Sequence, residues 1–252
     1  MVNYEKEIKK ISKWMRQYSE KTQTNGFVIG LSGGIDSAIV SSLAVQAVGK
    51  EKVLGVNMPC VSSPDMATDA KELAANLNIN FKVIDLFDSY KEIIDRLKEA
   101  YNKEIKNITQ ANIKARLRMT TLYAIANQNN MLVAGTGNLS ELSVGYFTKF
   151  GDGGVDCEPI GNYYKTEVYE MAKLIKKIPI PILTKKPSAD LWSGQTDEEE
   201  IGMSYKELDE ILKKINNNES MIWKQGDKIH KIIRLVNSSK HKNNLPPRYE
   251  RE

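Results

Sequence analysis

One stretch, Phe27 to Gly49 (FVIGLSGGIDSAIVSSLAVQAVG), constrains the fold more than any other. The apolar run Phe27-Val28-Ile29 predicts a buried strand, Ser32-Gly33-Gly34-Ile35-Asp36-Ser37 a tight turn, and the following residues a helix with Ile39, Leu43 and Ala47 on one face. Gly33 and Gly34 let the backbone approach a ligand closely, and the first amides of the helix stand unpaired at the positive end of its dipole. An anion fits there. An ordinary strand-to-helix turn, with Ser32 or Asp36 only capping the helix, is the plainer alternative. The neighbouring groups favour a phosphate cradle: Ser32 and Ser37 offer hydroxyl donors and Asp36 a carboxylate for Mg²⁺, all on one turn.

The rest of the chain repeats the alternation of strand and helix. Val53 to Met58 predicts a second buried strand closed by Pro59, Ser63 to about Leu77 a helix, and Phe81 to Leu86 a third strand. Helices over Phe87–Lys103 and Thr109–Asn129 precede a fourth strand, Met131 to Ala134, which runs into the turn Gly135-Thr136-Gly137-Asn138. This order predicts an α/β fold, a Rossmann-like parallel sheet with helices on both faces. Ligands of such sheets gather at the carboxyl ends of the strands, so the turns after strands one and four should converge. Leu139 to Tyr164 is rich in glycine, aspartate and aromatics and reads as a long functional loop. A helix is expected over Lys165–Lys177, after which Pro179, Pro181 and Pro187 interrupt regular structure. Lys185 to Glu200 reads as an exposed segment whose acidic run caps the next helix. Helices over Ser204–Ile215 and Ser220–Val236 then lead to a basic tail at His241-Lys242.

At 252 residues, 41% hydrophobic and 27% charged, the chain has enough apolar material for one well-filled domain. The net charge of +4 comes from 36 basic and 32 acidic residues that are mixed along the chain. There is no long basic block, and the modest positive balance suits phosphorylated small molecules as well as nucleic acid, so charge alone does not choose between them. No stretch reads as a membrane span. Met1 to Thr24 carries lysines and glutamates throughout and predicts a surface helix rather than a signal peptide, with the stripe Tyr4, Ile8, Ile11, Met15, Tyr18 for core or dimer packing. Cys60 and Cys157 form no CxxC pair, which fits a reducing cytoplasm, with both as small buried hydrophobes.

The cradle lacks the lysine of GxxxxGK[ST], which argues against γ-phosphoryl transfer. Ser32, Gly33, Gly34, Asp36 and Ser37 instead resemble the SGGxDS signature of the ATP pyrophosphatase superfamily, whose members cleave ATP between the α and β phosphates. The segments Ala111–Met119, Gly135–Glu141, Gly145–Asp156 and Lys186–Leu191, in that order, resemble those of NAD synthetase. The resemblance implies an adenine nucleotide alpha-hydrolase-like fold and one synthetase domain over residues 1–252, without a glutaminase domain.

Carried across position by position, it implies that Gly30, Leu31, Ser32, Gly33, Gly34, Ile35, Asp36, Ser37, Thr136, Lys165 and Ser188 hold ATP, with Mg²⁺ on Asp36 and Glu141. Arg116, Lys149, Asp156, His241 and Lys242 match positions that bind deamido-NAD. The implied reaction makes an acyl-adenylate of deamido-NAD, releases pyrophosphate and lets ammonia displace AMP. Asp36, Glu141 and Lys165 would then do the electrostatic work, and Asp152 is a candidate for deprotonating ammonium. The chain shows neither GxSxG nor a Cys-His amidase pair, consistent with a reaction that needs no covalent enzyme nucleophile. The resemblance also implies a cytoplasmic homodimer with substrate at the interface. Two other readings stay open: another pyrophosphatase-type enzyme, such as one that thiolates tRNA, and a nucleotide-binding regulator without chemistry.

Overall fold

The computed structural model describes residues 2–60, 64–188, 196–217 and 226–249. The chain opens with helix α1 (Tyr4–Lys21), whose buried Ile8, Ile11 and Met15 form the stripe expected from their spacing. Strand β1 (Phe27–Gly30) and helix α2 (Ile35–Val48) follow, then β2 (Val53–Asn57), α3 (Pro64–Leu77) and β3 (Asn80–Val83). Next come α4 (Phe87–Tyr101), α5 (Asn107–Asn129) and β4 (Leu132–Val133). All pairings are parallel and the order is β3-β2-β1-β4, with Phe27 facing Val53 on one side and Leu132 on the other.

β1 is therefore an inner strand, and this follows from its sequence. Its residues are apolar without alternation, as a strand covered on both faces requires. Phe27 and Ile29 pack with α1 and α2, while Val28 points to the opposite face and joins Leu54, Val56 and the side chains of α4 and α5. α2 is buried nearly all round, from Ile35 to Ala47. Each fully buried Leu43 or Ile39 side chain contributes about 1.5–3 kcal/mol relative to exposure. β3 is different: it is the edge strand and largely exposed.

The order of the strands positions the site. From β1 the chain moves outward to β2 and β3, then returns to place β4 on the other side of β1. The turns after β1 and β4 leave adjacent strand ends and, as expected, converge: Asn138 Nδ2 donates to Asp36 Oδ1 at 3.1 Å beside the crevice at that edge.

The second half corrects the expected outline in three places. The loop expected over 139–164 starts with a short helix, α6 (Leu139–Val144), closed at its start by a capping box between Asn138 and Glu141. Six residues are too few to print an amphipathic period, so composition alone concealed it. Helix α7 (Lys165–Lys173) stops four residues before the expected Lys177, its end closed by the Leu174 amide on the Met171 and Ala172 carbonyls. After α8 (Ile180–Thr184), the acidic run forms a helix of its own, α9 (Asp197–Ile201), while also capping α10 (Tyr205–Asn216): the Tyr205 amide donates to Glu198 Oε1 at 2.9 Å. The last helix is described as α11 (Gly226–Ser239). The expected helix starts at Ser63 and Ser220, and the Ala189-Asp190-Leu191 part of the fourth motif, lie outside the described residues. A third apolar cluster, built on Val144, Tyr164, Tyr205, Leu208 and Ile232, braces α6 and α7 against α10 and α11.

Candidate active site

The turn after β1 is shaped by Gly33, whose φ is +83° and where a Cβ would lie 2.4 Å from the Met66 carbonyl oxygen. Only glycine fits that backbone. Ser32 Oγ accepts from the Gly34 amide at 3.2 Å and lies 3.2 Å from Ser37 Oγ, which in turn donates to the Gly34 carbonyl at 2.9 Å. The turn thus holds its own shape. No side chain caps α2 at Gly34, so the first amides of the helix stay available to a ligand.

Asp36, in the first turn of α2, faces the start of α6. Its Oδ1 accepts from Asn138 Nδ2 at 3.1 Å, and its Oδ2 accepts from Lys165 Nζ. Lys165 also donates to Glu141 Oε1 at 3.0 Å. At 2% exposure, Lys165 is a fully buried cation between two carboxylates. Burial by itself would lower its pKa, but Asp36 and Glu141 outweigh that and raise it. Burial raises the Glu141 carboxyl, with Lys165 opposing and Asp36 and Asp197 adding to the rise.

These groups line one cavity of about 500 Å³ at the switch point between β1 and β4. Gly30, Leu31, Ser32, Gly34, Ile35, Asp36, Ser37, Thr136, Glu141, Asp152, Lys165, Ser188 and Lys242 all open onto it. Part of its lining is apolar, with Val56, Met58, Ile108, Ala115 and Leu122, a setting for a flat aromatic base. The start of α2 and the Lys165 trio also open onto it. Two carboxylates against one ammonium leave a net negative charge beside an anion cradle, which a divalent cation between phosphate and carboxylates would balance. Mg²⁺ is commonly held by one or two carboxylates plus phosphate oxygens, so Asp36 and Glu141 fit it. Among the described residues no group of three or more Asp, Glu, His or Cys side chains forms an all-protein metal cage.

Other expected residues sit elsewhere. Gly33 backs the turn rather than lining the cavity. Arg116 is exposed and donates from Nη2 to the Lys149 carbonyl at 3.3 Å, while Lys149 Nζ donates to the carbonyls of His241 and, at 3.4 Å, Asn244. Arg116, Lys149 and His241 therefore gather outside the cavity walls. Asp156 also lies off the wall, accepting from the Val133 amide at 2.8 Å and the Tyr123 hydroxyl at 3.0 Å. Lys242 bridges the two regions: it borders the cavity and donates to the carbonyls of Gly145 at 2.7 Å and Phe147 at 2.8 Å. Asp152 opens onto the cavity and accepts from the Thr148 amide at 2.9 Å.

Several residues of the site carry no motif signal in this sequence. The Tyr205 hydroxyl lies 3.1 Å from Glu141 Oε1 and 3.0 Å from Asp197 Oδ2, sharing its one proton between them. Tyr146, which does lie in the Gly145–Asp156 segment, shares its hydroxyl proton between Asp197 at 3.2 Å and Glu200, and Glu200 carries no such signal. Glu158, at the foot of the Gly135–Gly137 turn, has its carboxyl pushed up to about 8 by burial, with the Gly137 amide opposing. Asp197 and Tyr205 look like helix-start residues in sequence; only the docking of α9 and α10 on α6 turns them toward Glu141.

The family model for NAD synthase matches residues 7–246. The chain is 44% identical to the NH(3)-dependent NAD(+) synthetase of Carboxydothermus hydrogenoformans over 97% of each chain. Among solved structures it is similar to NMN synthetase from Francisella tularensis, with a TM-score of 0.88 and 36% identity over 99% of each chain. It is likewise similar to NH3-dependent NAD synthetase from Campylobacter jejuni, with a TM-score of 0.83 and 30% identity over 99% of this chain and 100% of that one. With the β1 cradle, the GTGN turn and the Lys165 trio meeting in one crevice, these likenesses place the chain in the NAD synthase family.

Proposed function

We propose that the chain is an ammonia-dependent NAD synthetase that amidates deamido-NAD at the expense of ATP, releasing AMP and pyrophosphate. The observation that carries this reading is the convergence of Asp36, Glu141 and Lys165 beside the open amides of α2. ATP would place its base against the apolar wall and its phosphates on the Ser32–Ser37 turn, within reach of Thr136 and Ser188 on the cavity wall. The nicotinate carboxylate attacks the α-phosphorus in line, the bond to the pyrophosphate oxygen breaks, and Lys165 offsets the charge that builds on the departing group. Asp36 and Glu141 would hold Mg²⁺, which when bound would supply further neutralisation of that charge. Ammonia then attacks the acyl carbon, AMP leaves, and the proton shed by nitrogen passes to a base, for which Asp152 is placed on the cavity wall.

Arg116, Lys149, Asp156 and His241, outside the cavity walls, and Lys242 on the cavity's border would meet the rest of deamido-NAD, with a second protomer completing the site in a cytoplasmic homodimer. Residues 1–252 would act as one synthetase unit, fed by free ammonia.

The test is to incubate purified protein with ATP, Mg²⁺, ammonium and deamido-NAD, and to measure NAD, AMP and pyrophosphate. Equal formation of all three is expected, with none from glutamine alone. A parallel reaction with nicotinate mononucleotide separates an NMN-forming enzyme from an NAD-forming one. ATP binding without turnover would sink the reading in favour of a silent regulator, and product only with another acceptor would point to a different pyrophosphatase-type enzyme.

A further inference from the structure

The side chains that meet ATP and metal in this reading are carried by three separate helix starts, so something must fix those starts relative to each other. Asn138 holds Glu141 to α6 through the capping box and reaches Asp36 on α2. The relation of α6 to α7, which carries Lys165, is fixed from elsewhere. Asp209, on α10 and 1% exposed, accepts from the Ser140 hydroxyl through one oxygen and from the Thr166 amide at 2.9 Å through the other. Ser140 Oγ, itself fully buried, accepts from the Lys165 amide at 2.8 Å.

Two of the amides that a helix start leaves unpaired, those of Lys165 and Thr166, are thus satisfied by a serine from α6 and an aspartate from α10. A negative charge at a helix N-terminus is favourable, and a buried carboxylate with two donors is held tightly. Asp209 touches no part of the cavity. It does fix Ser140, which precedes Glu141, and the residue from which the Lys165 side chain departs. Lys165 reaches both carboxylates only if α6 and α7 keep this offset, and displacements of about 1 Å can cost catalysis on the order of 100-fold.

We infer that Asp209 is a positioning residue of the reaction: through Ser140 and the amides of Lys165 and Thr166 it locks α6 to α7 and so aligns Glu141 with Lys165. The inference rests on the synthetase reading above. An aspartate that merely stabilised α10 would lower the melting midpoint and leave turnover of the folded protein unchanged.

Asp209→Asn keeps the shape but exchanges one acceptor oxygen for an NH₂ donor. Assayed well below its own melting midpoint, it should lower kcat for NAD formation about 10- to 100-fold. KM for ATP and for deamido-NAD should stay within about threefold. In a Lys165→Ala background the same substitution should cost less than about threefold, because the group it aligns is gone. An equal loss in both backgrounds, an unchanged kcat, or a loss confined to KM would overturn the assignment. If Asp209→Asn does not fold, Ser140→Ala decides by the same kcat and background criteria, since it leaves the Asp209 bond to Thr166 intact. The unsubstituted chain is run alongside: no NAD from it defeats the synthetase reading, whereas NAD from it together with an unimpaired Asp209→Asn defeats only the positioning role.

Discussion

The Tyr205 hydroxyl lies 3.1 Å from Glu141 Oε1, the oxygen that also receives Lys165 Nζ at 3.0 Å. Tyr205 is buried, and its pKa is raised by that burial and by the Glu141, Asp197 and Asp36 carboxylates, so it remains a proton donor. Tyr205→Phe removes the donor that Glu141 and Asp197 share. We expect a stability loss of about 1–3 kcal/mol in chemical denaturation, with a lower kcat as Glu141 loses a constraint. Coincident denaturation curves for the two proteins would show the hydroxyl to be energetically idle.

Lys165 offers a stronger test. Replacing it with Met leaves Asp36 and Glu141 facing each other without a counter-charge in a site where the lysine was 2% exposed. Removing one partner of such a buried pair costs about 3–5 kcal/mol, so the urea midpoint should fall clearly. Turnover should drop about 100- to 1,000-fold, as for other groups that stabilise developing charge. Stopped-time measurement of AMP formation checks the second expectation, and near-normal AMP release would remove Lys165 from the reaction.

Glu158 gives the chain a predictable dependence on pH. Its Oε2 is buried without a hydrogen-bond partner among the described residues, and its carboxyl titrates near 8 in the fold, above the usual carboxylate range. The native protein therefore holds a proton that the unfolded chain has already lost. That contribution to stability is fully present below the ordinary carboxylate value and disappears as pH rises through about 8. Glu158→Gln should flatten the decline of the melting midpoint between about pH 5 and pH 8, and should be the more stable protein at the alkaline end. Parallel pH profiles for the two would refute the assignment.

Gly33→Ala should fail for two reasons. A left-handed φ of +83° costs an L-residue energy, and its Cβ would meet the Met66 carbonyl oxygen at 2.4 Å. The turn and the start of α3 cannot both stay in place, so ATP affinity should fall by at least about tenfold, with a stability loss of roughly 1–3 kcal/mol. Calorimetric titration with ATP measures the first and thermal unfolding the second.

What could be read in the sequence follows the range over which each signal acts. The β1 strand, the Gly-Gly turn and α2 are contiguous, and their apolar runs and punctuation identify them locally. The alternation of strands with helices was enough to expect a parallel sheet. Asp36 is legible from its place on the turn after β1 and Glu141 and Lys165 through motif resemblance, while their meeting at one Nζ is tertiary and leaves no local mark. Tyr205, Asp197 and Asp209 leave no such mark, because a tyrosine or acid near a helix start looks the same whether it faces water or a buried lysine. α6 leaves no sequence signal, because six residues carry too little periodicity to stand out from a glycine-rich stretch. The exposed edge strand β3 gave a signal as strong as that of buried β2, since intrinsic strand preference does not report depth.

The strand order has a consequence for how the protein is born. The residues of the Ser32–Ser37 turn lie in about the first fifth of the chain, but Gly33 packs on Met66 of α3, Glu141 comes from α6, Lys165 from α7, Asp209 from α10, and Lys242 beyond α11 ties the carbonyls of Gly145 and Phe147 at the rim. Groups so far apart in sequence meet only in a nearly complete chain, so the crevice is among the last parts of the molecule to be finished during synthesis.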